Sequence, residues 1–573
     1  MFFERSIHQP RVTGSAGLKT PDWLIWLVAI ICVWTGLGTY GVLNNNEGLY
    51  ARIPLDMLNS TDLTHWIIPH LNGLPYMEKP PLLYWLTALG FWIFGNRDWV
   101  VRLVPTLAAL GCVWLILNFC RRIYRPQVGR VAALIFISGL GVQVIGRTLL
   151  FDMLLTAFLT AALMHAYLYK IEHRIRDLRI AHICLALAVL TKGLVALLLF
   201  GMVTASWIFM AHRNGAWKQL AAWIDRTSIL LFLAITVPWF IAASLVEPIF
   251  PWFFFINEHL LRFLGSRLPH DYYSGPWWYY LPRIVLYLFP WSLLLPIVMF
   301  SKSPGVSRVE RQEYVALKKN LMLGWLVPLL FFSISSAKAN YYLIVGMPFL
   351  TLNLAFMLEQ RNYLAGWRNT ILGLMIALIA VILAGAAHWY PQQLFGALND
   401  AQLTVAGMPW QQFSVRLLLV VAALALLSAA LAWLLPRLGL IAYAVLPLCF
   451  MVAMLSIVKA MESSVSDRAM VSFIESMEPA RTVYLYRNFE QNSSLAFYLK
   501  EPLKIIDSNS NDLYWGDRLR PDNEVMIERR QFRQQDEPKV VVVPNGYMDE
   551  FAHYKLQSRF RRNRQFDHAT VFY

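Results

Sequence analysis

Long apolar runs separated by short polar loops dominate the first 460 residues of this 573-residue chain. Many of the runs approach ~20 residues, the length that an α-helix needs to cross a hydrocarbon layer of ~30 Å. Hydrophobic residues make up 57% of the chain, more than a soluble core requires. The pattern predicts a mainly α-helical protein that spans a membrane several times.

Lys and Arg residues cluster in every second loop between the apolar runs. A net charge of +15 could indicate a nucleic-acid partner, but Lys and Arg also collect in the cytoplasmic loops of membrane proteins. The predicted cytoplasmic clusters are Arg5, Arg11 and Lys19; Arg121, Arg122, Arg125 and Arg130; Lys170, Arg174, Arg176 and Arg179; Arg213, Lys218 and Arg226; Lys302, Arg308, Arg311, Lys318 and Lys319; Arg361 and Arg368; and Arg437. We therefore expect a cytoplasmic N-terminus, membrane lipids around the chain, and no nucleic acid.

Residues 81–94 decide the number of spans. Their ~14 residues would form a helix of about 21 Å, which is short for a crossing. Counting them as a span would also place the arginines at 121–130 outside, against the charge rule. We predict an interfacial or re-entrant helix here and about 13 spans in total, with residues 179–212 split at Thr191-Lys192-Gly193 into a short helix and a longer one.

The tail differs in kind from the rest. It is polar, and strand-like stretches at 481–486 and 539–543 alternate with turn segments. We predict a membrane domain over residues 1–460 and a small α/β domain over 461–573 on the outer face. The five cysteines lie in or beside apolar runs without a CxxC pair, which argues against a disulfide framework and a thiolate metal site.

Several charged residues fall on the predicted outer face. Asp152 and Lys192 lie between apolar runs, so each needs water, a partner or a ligand. Asp152 could form an ion pair with Arg147 or act in catalysis. Lys192 could be a helix-end cation that reaches the membrane surface, or it could bind a ligand.

Two further clusters carry similar alternatives. On a helix the adjacent Glu78 and Lys79 would diverge, so they could offer a carboxylate ligand and a phosphate-binding ammonium to one pocket, or simply be solvated. Glu258 and His259 could bind a cation, but a single histidine is a weak metal signal and a structural hydrogen bond is commoner.

The ordered set of motifs over residues 40–345 resembles a known family. The motifs are Asn46-Glu47-Gly48-Leu49-Tyr50-Ala51, Tyr76-Met77-Glu78-Lys79-Pro80, Leu190-Thr191-Lys192-Gly193, Glu258-His259 with Arg262-Phe263, Pro276-Trp277-Trp278-Tyr279-Tyr280-Leu281-Pro282, and Ser333-Ile334 with Lys338. Together they resemble the bacterial ArnT-type (aminoarabinose transferase) glycosyltransferases. These belong to the GT-C superfamily, which also contains the protein O-mannosyltransferases.

The resemblance implies a GT-C fold and an inverting glycosyltransferase of the bacterial inner membrane, with its active site on the periplasmic side. Such an enzyme moves a sugar, 4-amino-4-deoxy-L-arabinose in the best-known members, from a polyprenyl phosphate donor to lipid A or another glycolipid. Modification of lipid A by this route is associated with polymyxin resistance. We expect a monomer.

The resemblance also implies roles for individual residues. The implied catalytic residues are Glu47, Asn46 and Asp152. Glu78 and His259 would hold a divalent metal ion, either zinc or magnesium. The implied substrate-binding residues are Arg52, Tyr76, Lys79, Arg147, Lys192, Arg262, Arg267, Lys338, Tyr341 and Tyr342.

One position departs from the family. The first loop typically carries Asp-Glu, but here it reads Asn46-Glu47, and an amide cannot accept a proton. An anionic phosphate acceptor needs no base. A hydroxyl acceptor, as in the protein O-mannosyltransferases, would need one, and Glu47 would then be the candidate. A lipid or sugar transporter is the alternative from another class, but no paired repeat supports it.

Overall fold

The described part of the chain is mainly helical up to residue 477. The computed structural model describes residues 21–211, 223–270, 274–296, 308–360, 368–393, 403–477, 481–535 and 537–573. The α-helices before the C-terminal sheet are Asp22–Trp34, Asn46–Asn59, Leu82–Phe94, Asp98–Val101, Leu103–Arg122, Pro126–Ser138, Leu140–Ile145, Phe151–Glu172, Ile175–Lys192, Leu194–Ala211, Arg226–Val246, Arg262–Leu264, Tyr280–Leu288, Arg308–Ile334, Met347–Gln360, Arg368–Trp389, Trp410–Leu434, Val445–Ala460, Glu462–Val465 and Arg468–Glu475. A π-helix covers Trp252–Leu261, and 3-10 helices cover Leu63–Trp66, Trp291–Leu293, Asn340–Gly346 and Pro436–Tyr443. The predicted helical class is confirmed.

Eight described helical segments are long and apolar enough to cross a membrane. They are Leu103–Arg122, Phe151–Glu172, Arg226–Val246, Val315–Ile334, Asn340–Glu359, Asn369–Trp389, Trp410–Leu434 and Leu440–Ala460. Shorter apolar helices are Asp22–Trp34, Leu82–Phe94, Pro126–Ser138 and Leu194–Met210. The multi-pass character is thereby supported, while the number of 13 spans stays a prediction.

Two local predictions meet the structure directly. Helix Leu82–Phe94 has 13 residues, too few to cross ~30 Å, and its interfacial or re-entrant placement stays a prediction. The break at Gly193 is confirmed, because Ile175–Lys192 and Leu194–Ala211 form separate helices. The expected difference in length was wrong, since each helix has 18 residues.

Some predicted basic clusters lie outside the described residues. These are Arg5, Arg11 and Lys19 at the N-terminus, Arg213 and Lys218, Lys302, and Arg361.

Helix Phe151–Glu172 connects two polar regions of opposite character. Asp152 stands in its first turn, and Glu172 at its last residue forms an ion pair with Arg122 at 2.7 Å. Twenty residues of helix separate the two acids by about 30 Å. The arginine-rich end and the Asp152 end therefore lie on opposite sides of the helical part.

The C-terminal residues form a six-stranded mixed sheet. Short hairpins precede it: β1 (His70–Leu71) with β2 (Leu74–Pro75), and β3 (Thr404–Val405) with β4 (Met408–Pro409). The sheet strands are β5 (Thr482–Tyr486), β6 (Lys504–Ile506), β7 (Met526–Ile527), β8 (Lys539–Pro544), β9 (Asn563–Gln565) and β10 (Ala569–Phe572), in the order β7-β6-β5-β8-β10-β9. Strands β5 to β8 are parallel, and β10 is antiparallel to β8 and β9. Helices Ser493–Leu499, Tyr514–Leu519, Arg529–Gln534 and Met548–His553 connect the strands.

Both faces of this sheet are buried, which explains the run of valines in β8. Val541 and Val543 pack with Phe551 on one face, while Val540 and Val542 join the large core shared with the helical part. The two strand-like stretches of the sequence coincide with β5 and β8. The boundary at residue 460 stays a prediction.

Direct hydrogen bonds join the sheet region to the first loops of the chain. The Asn45 N–H donates to the Glu490 carbonyl at 2.9 Å, and Asn72 exchanges bonds of 2.9 and 2.7 Å with Leu503. Trp515 Nε1 donates to the Leu268 carbonyl at 2.8 Å. These contacts place the loops after β5 and β6 over the end of the helical part that carries Asp152.

Candidate active site

A polar cavity of about 290 Å³ lies between the helical part and the C-terminal sheet. Nine of its lining residues were predicted: Asn46, Glu78, Lys79, Asp152, Lys192, Arg262, Arg267, Tyr341 and Tyr342. Ten were not: Asn45, Leu49, Tyr50, Leu150, Phe151, Asn488, Glu490, Gln491, Asn511 and Asp512. Six predicted residues lie elsewhere: Glu47, Arg52, Tyr76, Arg147, His259 and Lys338.

One part of the lining carries the cations Lys79, Lys192, Arg262 and Arg267 and is called the positive wall below. Glu258 is buried at its centre. Its Oε2 lies 2.9 Å from Arg262 Nη1 and 3.5 Å from Lys79 Nζ. Arg267 forms one ion pair with Glu258 and another with Glu78. Burial works against the charged form of Glu258, but the neighbouring cations, Arg267 above all, lower its pKa to about 2. Glu258 therefore stays ionised at neutral pH and holds three cations in place.

Local backbone structure sets this arrangement. Glu258 belongs to the π-helix Trp252–Leu261, and π-helical turns are rare and frequent at functional sites. The neighbouring Asn257 side chain exchanges hydrogen bonds of 2.8 and 3.0 Å with the backbone of Leu268. These bonds fix the loop that carries Arg267 beside Glu258.

Glu78 and Lys79 lie in a bend rather than a helix. Lys79 Nζ lies 3.4 Å from Glu78 Oε2, so the expectation that the two side chains diverge was wrong. That expectation assumed helical geometry, in which neighbours point apart by about 100°. Both residues nevertheless line the cavity.

Lys192 and Asp152 form an ion pair inside the cavity. Nζ and Oδ1 are 2.5 Å apart, and Lys192 Nζ also lies 4.4 Å from the ring centroid of Tyr342. The suggested pair between Asp152 and Arg147 was wrong. Lys192 is the last residue of its helix and Asp152 the second of another, so two helix ends meet here.

His259 has a structural role. Its Nε2 accepts a hydrogen bond of 3.0 Å from the Leu194 N–H, and its Nδ1 lies 2.6 Å from the Phe254 carbonyl. The pattern assigns a neutral ring with the proton on Nδ1, and burial lowers the pKa of His259, which favours the same form. Both ring nitrogens are thus engaged.

The implied metal pair does not fit this geometry. Glu78 is bonded to two cations, and His259 has no nitrogen available. Within the described residues, no group of three or more His, Cys, Asp or Glu side chains could hold a metal ion.

Glu47 and Asn46 face different surroundings. Glu47 is buried and meets Arg102 through both carboxylate oxygens, at 3.0 and 2.7 Å. It also accepts backbone N–H bonds from Leu43 and Leu149. This geometry gives Glu47 a structural role and does not support its prediction as a base, whereas Asn46 lines the cavity.

Two arginines from the predicted set are also structural. Arg52 pairs with Asp56 at 2.5 Å and donates to the Ala496 carbonyl at 2.8 Å, joining helix and sheet regions. Arg147 donates to the Cys32 carbonyl at 3.2 Å. Neither side chain lines the cavity, so their prediction as substrate ligands finds no support here.

Lys338 and Tyr76 are the last two predicted site residues that do not line the cavity. Lys338 Nζ donates to the Ser333 carbonyl at 2.9 Å and satisfies the end of a helix. Tyr76 is buried behind the wall, where its hydroxyl lies 3.2 Å from Glu78 and 3.5 Å from Asp512. Tyr76 therefore contacts one lining residue from the helical part, Glu78, and one from the C-terminal sheet region, Asp512.

Half of the unpredicted lining residues belong to the C-terminal sheet region. Asn488, Glu490 and Gln491 follow β5, while Asn511 and Asp512 follow β6. In open sheets with parallel strands, ligands bind outside the carboxyl ends of the strands. The polar segment after the predicted strand region 481–486 was therefore a usable signal, whereas β6, which precedes Asn511 and Asp512, was not predicted as a strand.

Known proteins share both sequence and fold with this chain. Residues 78–241 match the family described as dolichyl-phosphate-mannose-protein mannosyltransferase. The undecaprenyl phosphate-alpha-4-amino-4-deoxy-L-arabinose arabinosyl transferase of Aeromonas salmonicida is 30% identical over 412 residues, covering 68% of this chain and 71% of that protein. The protein of the same name from Edwardsiella ictaluri is 31% identical over 384 residues, covering 64% and 66%. The matched region spans about two thirds of each relative.

The fold agrees with a solved structure over nearly its whole length. The crystal structure of ArnT from Cupriavidus metallidurans bound to undecaprenyl phosphate has a TM-score of 0.77 at 23% identity, and the match covers 96% of this chain and 97% of that chain. Its apo form gives a TM-score of 0.76. Sequence and fold together show that the chain belongs to the ArnT-type family of undecaprenyl phosphate-4-amino-4-deoxy-L-arabinose arabinosyl transferases.

Proposed function

We propose that this protein is an inner-membrane glycosyltransferase that moves 4-amino-4-deoxy-L-arabinose from an undecaprenyl phosphate donor to lipid A. The observation that carries the proposal is the convergence of Lys79, Lys192, Arg262 and Arg267 on one cavity. The names of the relatives supply the sugar and the carrier.

The donor phosphate belongs beside the Glu258 cluster. Arginine and lysine bind phosphate oxygens through charge-assisted hydrogen bonds, and here they are already held at fixed positions by carboxylates. On the positive wall, four cations stand against the three carboxylates Glu78, Asp152 and Glu258. One positive charge in excess suits the single negative charge of a phosphodiester.

These cations favour reaction as well as binding. When the bond between the anomeric carbon and the phosphate oxygen breaks, its electron pair passes to the phosphate, whose negative charge increases. Fixed cations stabilise that charge more in the transition state than in the bound donor. The acceptor oxygen forms the new bond from the opposite face of the sugar, which inverts the anomeric centre.

An anionic phosphate of the acceptor suits this site. Its oxygen needs no base, in agreement with an amide at Asn46 and with Glu47 held by Arg102. The hydroxyl-acceptor alternative relied on Glu47 as base and loses that support. The donor and acceptor steps proposed here involve no metal ion, because Glu78 and His259 are engaged in other bonds.

The membrane orientation forms part of the proposal. Arg121 and Arg122 end a span whose other end lies beside Glu47, so the arginine-rich side and the cavity side are opposite. The positive-inside rule then supports a cytoplasmic N-terminus and a cavity on the periplasmic side, together with the C-terminal sheet.

Reconstitution tests the activity. Purified protein in nanodiscs is mixed with undecaprenyl phosphate-linked 4-amino-4-deoxy-L-arabinose and lipid A, and mass spectrometry follows the lipid. We expect a mass increase of one aminopentose. Absence of that increase with wild-type protein would reject the proposed reaction.

A substitution pair tests the site. Lys79→Met removes a cation from the positive wall and should lower the transfer rate at least about tenfold, since a hydrogen bond to a charged group contributes about 1.5–3 kcal/mol. Lys459→Met removes an exposed cation at the end of helix Val445–Ala460 and should leave transfer unchanged. Equal activity of both variants would reject the assignment of Lys79.

A further inference from the structure

The wall of the cavity that faces the cations is built by the C-terminal sheet region. Its lining side chains are the amides Asn488, Gln491 and Asn511 and the carboxylates Glu490 and Asp512. No Lys or Arg belongs to this part of the lining among the described residues. The cavity is therefore positive on one wall and neutral to negative on the other.

Backbone and side-chain bonds hold the two carboxylates together. Glu490 is buried, and its Oε1 accepts hydrogen bonds from the Asp512 N–H at 3.0 Å and from the Ser510 hydroxyl at 2.6 Å. Glu490 follows β5 and Asp512 follows β6, which are neighbouring parallel strands. The pairing of these strands thus brings both acids to one edge of the sheet, where ligands of such sheets bind.

The surroundings of this pair disfavour a second negative charge. Burial, followed by the charges of Glu78 and Glu490 and opposed by that of Arg267, raises the pKa of Asp512 well above its usual value. Tyr76 lies between the two walls, with its hydroxyl 3.2 Å from Glu78 and 3.5 Å from Asp512. A positively charged ligand beside Glu490 and Asp512 would favour the ionised form of Asp512 and pair with both acids, whereas an anion would favour the protonated form.

The donor has the matching distribution of charge. Under the proposed function it carries a phosphodiester anion at one end of the sugar and an ammonium group on the sugar ring. The positive wall takes the phosphate, and the opposite wall faces the ring. We propose that Glu490 and Asp512 bind the ammonium group of the amino sugar and so select an aminated donor. This inference rests on the proposed function and assigns to the C-terminal region the recognition of the sugar.

Two donors that differ at the amine, one charged and one neutral, test the assignment. Transfer to lipid A is measured with the undecaprenyl phosphate-linked amino sugar and with the same donor acetylated on its amine, which removes the positive charge. Wild-type protein should prefer the free amine at least about tenfold in kcat/KM, as expected for a charged hydrogen bond. Glu490→Gln and Asp512→Asn keep the shape of each side chain and should each lower that preference at least about threefold.

The matched control is Asp522→Asn. Asp522 is an exposed acid between β6 and β7, away from the cavity lining, and its substitution should preserve the wild-type preference. Because the measured quantity is a ratio between two donors for the same protein, a partial loss of folded enzyme cancels from it.

The remaining outcomes separate the two proposals. Wild-type protein that transfers neither sugar would overturn the proposed function and this inference with it. Active wild-type protein whose preference is unchanged by Glu490→Gln and Asp512→Asn would overturn only the inference. Equal loss of both donors in the two variants would also overturn it, because a structural role does not distinguish amine from amide.

Discussion

A single buried carboxylate, Glu258, organises the residues that we propose to bind phosphate. Isolated cations in a poorly solvated pocket would repel one another and turn toward water. Glu258 holds Arg262, Arg267 and Lys79 through three ion pairs. An incoming phosphate then meets cations whose positions are already fixed, so little further ordering is needed at binding.

Substitution of Glu258 should cost stability in a pH-dependent way. Breaking a buried pair by removing one partner costs about 3–5 kcal/mol, so Glu258→Gln should lower the unfolding temperature at pH 7. The folded-state pKa of about 2 lies below the ordinary value near 4.5, so this contribution is fully present above pH 4.5 and declines as pH falls toward 2. Thermal unfolding of both proteins from pH 7 to pH 3 measures it. A difference that stays constant below pH 4.5 would contradict the assigned pairs.

Neighbouring residues of the first loop differ in role because a helix turns by about 100° per residue. Asn46 and Glu47 open helix Asn46–Asn59, so Asn46 faces the cavity while Glu47 faces Arg102. The sequence alone indicates that both residues matter. It cannot assign their directions, because the partner Arg102 is 55 residues away in the chain.

This geometry predicts a separation of stability from activity. Glu47→Gln leaves Arg102 without its full countercharge. Because breaking a buried ion pair costs about 3–5 kcal/mol of folding free energy, this variant should have a much lower unfolding temperature. Asn46→Ala should unfold near the wild-type temperature but transfer sugar at least about tenfold more slowly. Differential scanning fluorimetry and the lipid A assay measure the two effects. A Glu47→Gln protein of wild-type stability without transfer would return a catalytic role to Glu47.

The turn between helices Ile175–Lys192 and Leu194–Ala211 is an element whose shape positions two predicted residues. Gly193 has φ +82°, a backbone conformation that other residues rarely adopt, and a Cβ there would lie 2.6 Å from His259 Nε2. The glycine thus allows His259 to accept the Leu194 N–H while Lys192 points to Asp152. The motif was visible in the sequence, but its reason is this close contact.

Gly193→Ala should therefore disturb the site through the backbone. The combined strain and contact should cost about 1–3 kcal/mol and move Lys192 away from Asp152. We expect a lower unfolding temperature and weaker binding of undecaprenyl phosphate in a fluorescence or calorimetric titration. Gly201→Ala is the control, since a Cβ at Gly201 meets nothing within 4 Å. Equal behaviour of the two variants would contradict the contact.

The helical part and the C-terminal sheet region could be predicted from the sequence to different degrees. Hydropathy places the long spans because ~20 apolar residues have few other stable solutions, and short runs rich in Val and Tyr indicate β5 and β8. Which loops of the sheet reach the cavity depends on how the regions pack. That packing depends on contacts between residues far apart in the chain, such as the hydrogen bonds between Asn72 and Leu503. One sequence contains no signal for such contacts.

At the scale of the whole molecule, the cavity exists only because the sheet region docks on the helical part. Helix Asn46–Asn59 packs against helix Ser493–Leu499, and Arg52 donates across that contact to Ala496. Gly48 lies at the closest approach, where a Cβ would meet the Ser494 backbone nitrogen at 2.5 Å. Backbone cannot yield as a flexible side chain can, so the contact requires glycine.

Gly48→Ala gives this docking a test in which two effects have opposite signs. Alanine favours a helix over glycine by about 0.8–1 kcal/mol, so without the contact the variant should be slightly more stable. With the contact, overpacking should cost about 1–3 kcal/mol, push the two helices apart and open the cavity. We expect faster amide hydrogen exchange in Ser493–Leu499 and slower transfer.

The control for this test lies within the same sheet region. A Cβ at Gly546 meets nothing within 4 Å, so Gly546→Ala should change neither exchange nor transfer. If the amides of residues 493–499 exchange as slowly in Gly48→Ala as in wild type, and the variant still transfers sugar, the docking does not depend on the close contact at Gly48. The amides and acids of the C-terminal wall reach the cavity only in the docked arrangement. Loss of donor selectivity in Gly48→Ala, measured with the free and acetylated amino sugars, would therefore tie recognition of the sugar to that arrangement.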